Sequence, residues 1–275
     1  MNVSMKRIVP HLVLIPYVII VLYPLFFIIN ASFKNNSEIS LNPWGLPQSF
    51  SFDNYTNALS NSFIGTYFFN SLYISVISTV ATILLATAIS YAVTRMKFPR
   101  LSKLVYSLLL LSLLIPPASL LIPLYLMIKD MGMYNTPLAL LIPYTAFGIP
   151  LTVFVVAAFL KSIPQELEEA GIMDGLSTYG ILGRIIIPLT LPTLVTVFIL
   201  NFISHWNEYI MANLFLSSDK LRTLPVAVVA FADQYNMNYG ALTAAITISI
   251  VPVIIIYAVL QKKIIEGVTA GGVKG

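Results

Sequence analysis

The chain has 275 residues, of which 58% are hydrophobic and 9% charged, with a mean hydropathy of +0.88 and a formal net charge of +4. Soluble domains carry about a quarter charged residues, so this chain lacks the material for an ordinary water-exposed surface and reads as an integral membrane protein. The small net charge gives no ground for a nucleic-acid partner, the absence of cysteine removes disulfide, thiolate and Cys-based metal chemistry, and His11 and His205 are too few and too far apart for a metal cluster.

Lys6 and Arg7 precede an apolar run over 11–29. The run is too long for a signal peptide and lacks a small-residue cleavage site. About 20 apolar residues cross a bilayer as a helix, so this is the first predicted span, and a bundle tolerates its Pro16 and Pro24. Residues 30–63 are rich in Asn, Ser and Pro and are expected to form a long loop without helix. Glycosylation-type triplets at Asn2, Asn30, Asn35 and Asn54 read as ordinary Asn/Ser-rich composition. A second span, 64–94, carries Ser71, Ser75, Ser78, Thr79, Ala81, Thr82, Ala86, Thr87, Ala88 and Ser90. Small residues let membrane helices approach closely and hydroxyls bond across the interface, which places this span inside a bundle.

A basic turn with Arg95, Lys97, Arg100 and Lys103 leads to a third span over 104–128. It contains Pro116, Pro117 and Pro123 and is expected to bend or unwind, because proline removes helix donors and clashes with the preceding turn. Further spans are predicted over 137–160, 189–213 and 240–260, with a mixed segment over 214–239 and a basic, glycine-rich tail from 261. The fold class is all-α: a polytopic membrane protein with six transmembrane helices. Six spans put both ends on one side. With the N-terminus inside, 11 of the 15 Lys and Arg residues face the cytoplasm, and cytoplasmic loops are enriched in these residues. Both termini and the segment 161–188 are therefore expected in the cytoplasm.

That segment concentrates Glu166, Glu168, Glu169 and Asp174 in an otherwise oily chain. Ser162 is expected to cap a helix, with Pro164 in its first turn, and the carboxylates load the positive end of its dipole. Leu167, Ala170, Gly171 and Asp174 share a face by 3- and 4-residue spacing. Ala170 and Gly171 would leave that face flat for a partner. Gly175 breaks the helix, and a second short helix over 177–187 leads to Pro188. On these grounds alone the segment is either a solvated surface helix or the grip of a soluble partner.

Glu169-Ala170-Gly171, three residues, Gly175, nine residues, then Ile185-Ile186-Ile187-Pro188 resembles the EAA loop of ABC importer permeases at every spacing. Gly171 stands for the second alanine and Ile187 for the leucine. Ile122-Pro123-Leu124-Tyr125, Asn135-Thr136, Trp206-Asn207-Glu208-Tyr209, Thr223-Leu224-Pro225-Val226 and the ending from Gly267 to Gly275 resemble permeases of the maltose-type carbohydrate uptake family, and the length suits the shorter, MalG-like partner of a permease pair. The resemblance implies the type I importer transmembrane fold and a division into a first helix with its outer loop (1–63), a core with its coupling loop (64–262) and a tail (263–275). It implies that Glu166, Glu169, Ala170, Gly171, Asp174, Gly175, Ile185 and Pro188 seat a cytoplasmic ABC ATPase dimer, and that ATP and Mg are used there while this chain binds no cofactor and catalyses nothing. It also implies a second permease, an extracytoplasmic solute-binding protein docking on 30–63 and 214–239, a sugar substrate, a second ATPase contact at Gly267 to Gly275, and residence among the lipids of the cell membrane. A related polar solute such as glycerol phosphate is the alternative cargo.

Glu208 falls near the outer end of the fifth predicted span. Intramembrane carboxylates are expensive and functional by default, so it either lines a pathway or gate, with Asn201, His205, Trp206 and Asn207, or bonds neighbouring spans. The glycine spacing from Gly175 to Gly180 suggests a phosphate loop, but Ile181-Leu182 stands where Lys-Ser/Thr is required. A secondary transporter would show internal repeats and coupled buried charges, and a membrane enzyme a convergent constellation of His, Asp, Glu or Ser. The sequence presents neither.

Overall fold

The computed structural model describes residues 3–60, 64–96, 98–232 and 238–272, with side chains over 10–59, 64–96, 98–229 and 238–262. Among them five helices are long and apolar enough to cross a membrane: Pro10–Ala31, Ile64–Arg95, Leu138–Leu160, Thr178–Trp206 and Tyr239–Lys262. The remaining apolar stretch is a broken span, Pro99–Ser112 and Pro117–Asp130, bent by 94°. The break falls at Pro116-Pro117, and Pro117 opens a 3-10 turn that leads into the second half. The expected bend is thus present, although the span opens at Pro99, where proline sits in the first helical turn, instead of at 104.

The chain divides into two compact units, Met1–Phe68 with Val226–Pro252, and Phe69–Pro225 with Val253–Gly275. Within the first, the segment expected to be all loop contains two helices, Asn36–Leu41 and Asp53–Ser60. Asn35 caps the first by accepting from the Glu38 amide at 2.8 Å, and an Asn followed three residues later by Glu is a legible helix start. Lys34 is only 1% exposed and donates to the carbonyls of Asn42, Pro43 and Gly45, gathering the turn beyond that helix. Asn54 donates to the carbonyls of Ser32 and Lys34, both at 2.8 Å, and Trp44 stacks on Tyr23 and tilts against Phe27.

In the second unit most of the small and hydroxyl residues of the second span are turned inward as expected, although Ala81 is half-buried and Ala88 exposed. Ser71, Ser75, Ser78, Thr79, Thr82, Ala86, Thr87 and Ser90 are all buried. Gly148 of the fourth span marks a close approach: a Cβ there would lie 2.5 Å from Asn201 Oδ1 and 2.8 Å from Thr82 Cγ2. Absence of a side chain at this point lets the second, fourth and fifth spans meet. The fifth span departs most from expectation. Thr178–Ile181, one π-helical turn (Leu182–Ile186) and Ile187–Trp206 form one continuous run, so the second short helix of the insert is the start of the span. Pro188 would clash with the Arg184 carbonyl in a regular helix; that carbonyl lies in the widened π turn. At its other end the span stops at Trp206, and a separate short helix, Ile210–Phe215, follows. Tyr239–Gly272 is a single helix, so much of the expected tail extends the last span. The side chains from 263 onward, including the expected contact at Gly267 to Gly275, lie outside the described ones.

Candidate functional site

The insert helix is Glu166–Met173, with Glu166, Glu168 and Glu169 in its first turn. Negative charge is favourable there because the unpaired amides carry the positive end of the dipole. Ser162 does not cap it. Its hydroxyl donates back to the Phe159 carbonyl at 2.7 Å, closing the previous helix, and the residue at the N-cap position, Gln165, makes no side-chain cap bond. Gly175 ends the helix at φ +81°. The Gly175 amide donates to Ile172 and the Leu176 amide to Gly171, both at 2.9 Å, which is a Schellman closure. Ser177 then caps the next helix by accepting from the Gly180 amide at 3.3 Å.

These turns give the insert two unlike sides. Ile163, Ile181 and Ile186 sink into an apolar cluster with Tyr91, Val156, Leu160, Leu194 and Val197. Gly171 is buried as well, and a Cβ there would lie 2.7 Å from Ile185 Cδ1. Gly171 therefore belongs to the chain's own packing, which corrects the expectation that it flattens the face turned to a partner; Ile185 packs inward with it. On the other side Glu166, Glu169, Ala170, Asp174 and Pro188 are exposed. So are Leu167 and Ile172, and Met173 and Tyr179 are each 87% exposed. Large apolar groups standing out of an acidic surface mark an interaction site more than a solvated helix does. Sequence reasoning missed Met173 and Tyr179, although a Met and a Tyr in the polar insert were visible.

It also missed the polar junction beneath the insert. Glu168, which spacing alone left among the surface acids, pairs with Arg95 at the end of the second span, Nε to Oε1 at 2.7 Å, with side chains 12% and 7% exposed. Its other oxygen accepts from the Tyr91 hydroxyl at 3.1 Å. Arg95 Nη2 donates to the carbonyls of Leu160 and Ile163, each at 2.7 Å.

At the opposite end of the same unit lies a cavity of about 570 Å³, mostly apolar, bordered by the broken span and by Asn201, Ser204, His205 and Glu208. Three of the five expected pathway residues thus share one cavity. Trp206 and Asn207 do not line it: Trp206 is buried against Phe202 and Asn207 is exposed. The polar atoms at the cavity are largely engaged. Asn201 Nδ2 donates to Thr152 Oγ1 at 2.9 Å and to the Val197 carbonyl at 2.7 Å. His205 Nε2 donates to the Tyr144 carbonyl and Nδ1 meets Thr79 Oγ1, both at 3.1 Å. Glu208 lies beyond the helix end, which corrects its expected place within the span. It accepts from the Tyr144 hydroxyl at 2.6 Å and from the amides of Met211 and Ala212 at 2.8 and 3.1 Å.

The segment after this helix is held from two sides. Asn135, at φ +57°, accepts on Oδ1 from the amides of Ser217 and Ser218. Asn70 donates to the carbonyls of Lys220 and Arg222, both at 2.9 Å.

Residues 83–269 match the family described as binding-protein-dependent transport system inner membrane component. Two similar relatives are a probable ABC transporter permease protein, YurM, of Bacillus subtilis, 36% identical over 94% of this chain and 86% of the relative, and the diacetylchitobiose uptake system permease protein NgcG of Streptomyces coelicolor, 33% identical over 96% and 87%. A solved structure of a bacterial ABC transporter involved in the import of the acidic polysaccharide alginate is similar at a TM-score of 0.82 and 25% identity, covering 95% of this chain and 98% of that one.

Proposed function

The chain belongs to the binding-protein-dependent transport system inner membrane component family, and from that premise we propose that it is one of two permease subunits of an ATP-driven importer for a carbohydrate. A chitobiose derivative and a polysaccharide among the cargoes of similar proteins support the carbohydrate class; they leave the individual sugar open. The insert at 161–188 docks a cytoplasmic ATPase, which binds ATP and Mg and hydrolyses the nucleotide, while this subunit carries no catalytic group. Both termini and the insert face the cytoplasm, in line with the Lys and Arg distribution. The outer segments over 30–63 and 214–239 receive a sugar-loaded binding protein; within its own unit each has a side chain that holds its backbone, Lys34 in the first and Asn70 and Asn135 in the second. Asn201, Ser204 and His205 border the translocation path, and Glu208 braces its outer edge.

The observation that carries the docking reading is the outward face of the insert, where Met173 and Tyr179 stand exposed among carboxylates. A cleft on the ATPase would bury these side chains, and apolar anchors of this kind dominate binding energy. Replacing Met173 or Tyr179 with Glu should abolish co-purification of the ATPase with the permease pair, and Glu169→Lys should weaken it. Undiminished co-purification in all three variants would overturn the reading. Leu41→Glu, at an exposed position outside the membrane-spanning helices, serves as the control for nonspecific damage.

A further inference from the structure

The junction beneath the insert does more than a docking surface needs. Arg95 is the last residue of the second-span helix. Its guanidinium reaches the carbonyls of Leu160 and Ile163, at the end of the fourth span, and the carboxylate of Glu168, in the insert. The Leu160 carbonyl is among the last four of its helix, which lack intrahelical partners, so Arg95 ties that end down by side-chain donation. Tyr91, one turn before Arg95, holds the second carboxylate oxygen. The planar fork of arginine suits simultaneous contacts of this kind, and lysine has no equivalent. The second span, the end of the fourth and the insert are thereby tied together at one point, where the neighbouring contacts are largely apolar.

A buried ion pair is weak evidence for stability, because desolvation offsets most of its attraction, and its better-attested use is to fix register. We propose that Arg95, Glu168 and Tyr91 form a transmission latch, with Arg95 and Glu168 as positioning residues for transport. The latch makes the insert a rigid lever on the second and fourth spans. A displacement imposed on the insert then moves the membrane core with it and is not absorbed in the turns at 161–165 and 174–177. The contact of Gly171 with Ile185 extends the same body to the fifth span. This inference rests on the reading of the exposed face as an ATPase dock.

The chain has no cysteine, so two can be introduced for spin labels, Gln165→Cys on the insert and Leu84→Cys on the second span, in the complex purified with its partner permease and ATPase. In the parent the distance between labels should form one narrow population, unchanged when ATP and vanadate trap the closed ATPase dimer. Glu168→Gln should split or broaden that population in the trapped state while the ATPase still co-purifies at the parental level. Arg95→Lys, which keeps the charge and loses the fork, should give an intermediate broadening. Parental behaviour of both variants in both nucleotide states would overturn the proposal. So would a shift of the parent's own insert against the second span on trapping, or failure of both variants to assemble, which would leave only a folding role. If the ATPase does not co-purify with the parent, the docking reading fails instead. The same labels on the permease pair alone then decide the latch, by whether Glu168→Gln loosens the insert.

Discussion

At the scale of single residues, the roles of the carboxylates were set by partners that hydropathy and charge spacing do not reveal. Glu208 looked like an intramembrane acid because the apolar pattern runs through it. The helix, however, stops at Trp206, and Glu208 turns back over the first amides of Ile210–Phe215. Those amides need an acceptor, since a helix start has no internal one, and Tyr144 adds a third donor. Hydrogen bonds to a charged group contribute about 1.5–3 kcal/mol each. Glu208→Ala should therefore lower the thermal midpoint of the detergent-purified protein clearly, and Glu208→Gln, which keeps an acceptor, should lower it much less. A residue acting only on cargo would show the reverse pattern, unchanged melting with lost uptake. Glu168 was hidden because its partners lie far away in sequence. Spacing put it on a charged helix, and only the fold brings Arg95 and Tyr91 beneath it. Gly148 was equally invisible, because its reason is the approach of Thr82 and Asn201 from two other helices.

At the scale of elements, the start and stop chemistry of the insert was partly legible. Gly175 was expected to break the helix and does so in the left-handed region, and Ser177 starts the next helix. Ser162 does not cap the helix, although a Ser in Ser-Ile-Pro-Gln-Glu fits an N-cap by composition, because its hydroxyl finds a nearer acceptor at Phe159. The π turn at 182–186 has no composition signal; Pro188 argued for a boundary there, and the widened turn removes that need. A non-glycine residue in the left-handed region costs about 1–2 kcal/mol. Gly175→Ala should lower the melting temperature accordingly and weaken ATPase retention, because the Schellman closure orients Met173 and Asp174 relative to Tyr179. Gly175→Asn, whose side chain tolerates that region, should recover most of both. Equal retention by parent and Gly175→Ala would mean the turn does not set the docking face.

At the scale of the whole molecule, the class of protein was legible at once because hydropathy and span length are set by the bilayer and not by tertiary detail. Span number followed from the length of the apolar runs, the broken third span from proline placement and the inward face of the second span from its small and hydroxyl residues. Exact boundaries did not, since a helix ends where caps and neighbours stop it. Orientation rests on charge distribution, and it places Met173 and Ser217 on opposite sides of the membrane. Both tolerate a probe by position: Met173 is 87% exposed and Ser217 is exposed as well. In right-side-out vesicles carrying the permease pair without its ATPase, a membrane-impermeant maleimide should label Ser217→Cys and leave Met173→Cys unmodified until the vesicles are opened. Inverted vesicles should give the opposite result. Since 11 of the 15 Lys and Arg residues fall on the side assigned to the cytoplasm, the reverse labelling pattern would require the positive face to cross the membrane, against the bias that orients short loops. It would also remove the insert from the compartment where ATP is hydrolysed, and with it the docking reading and the latch that depends on it.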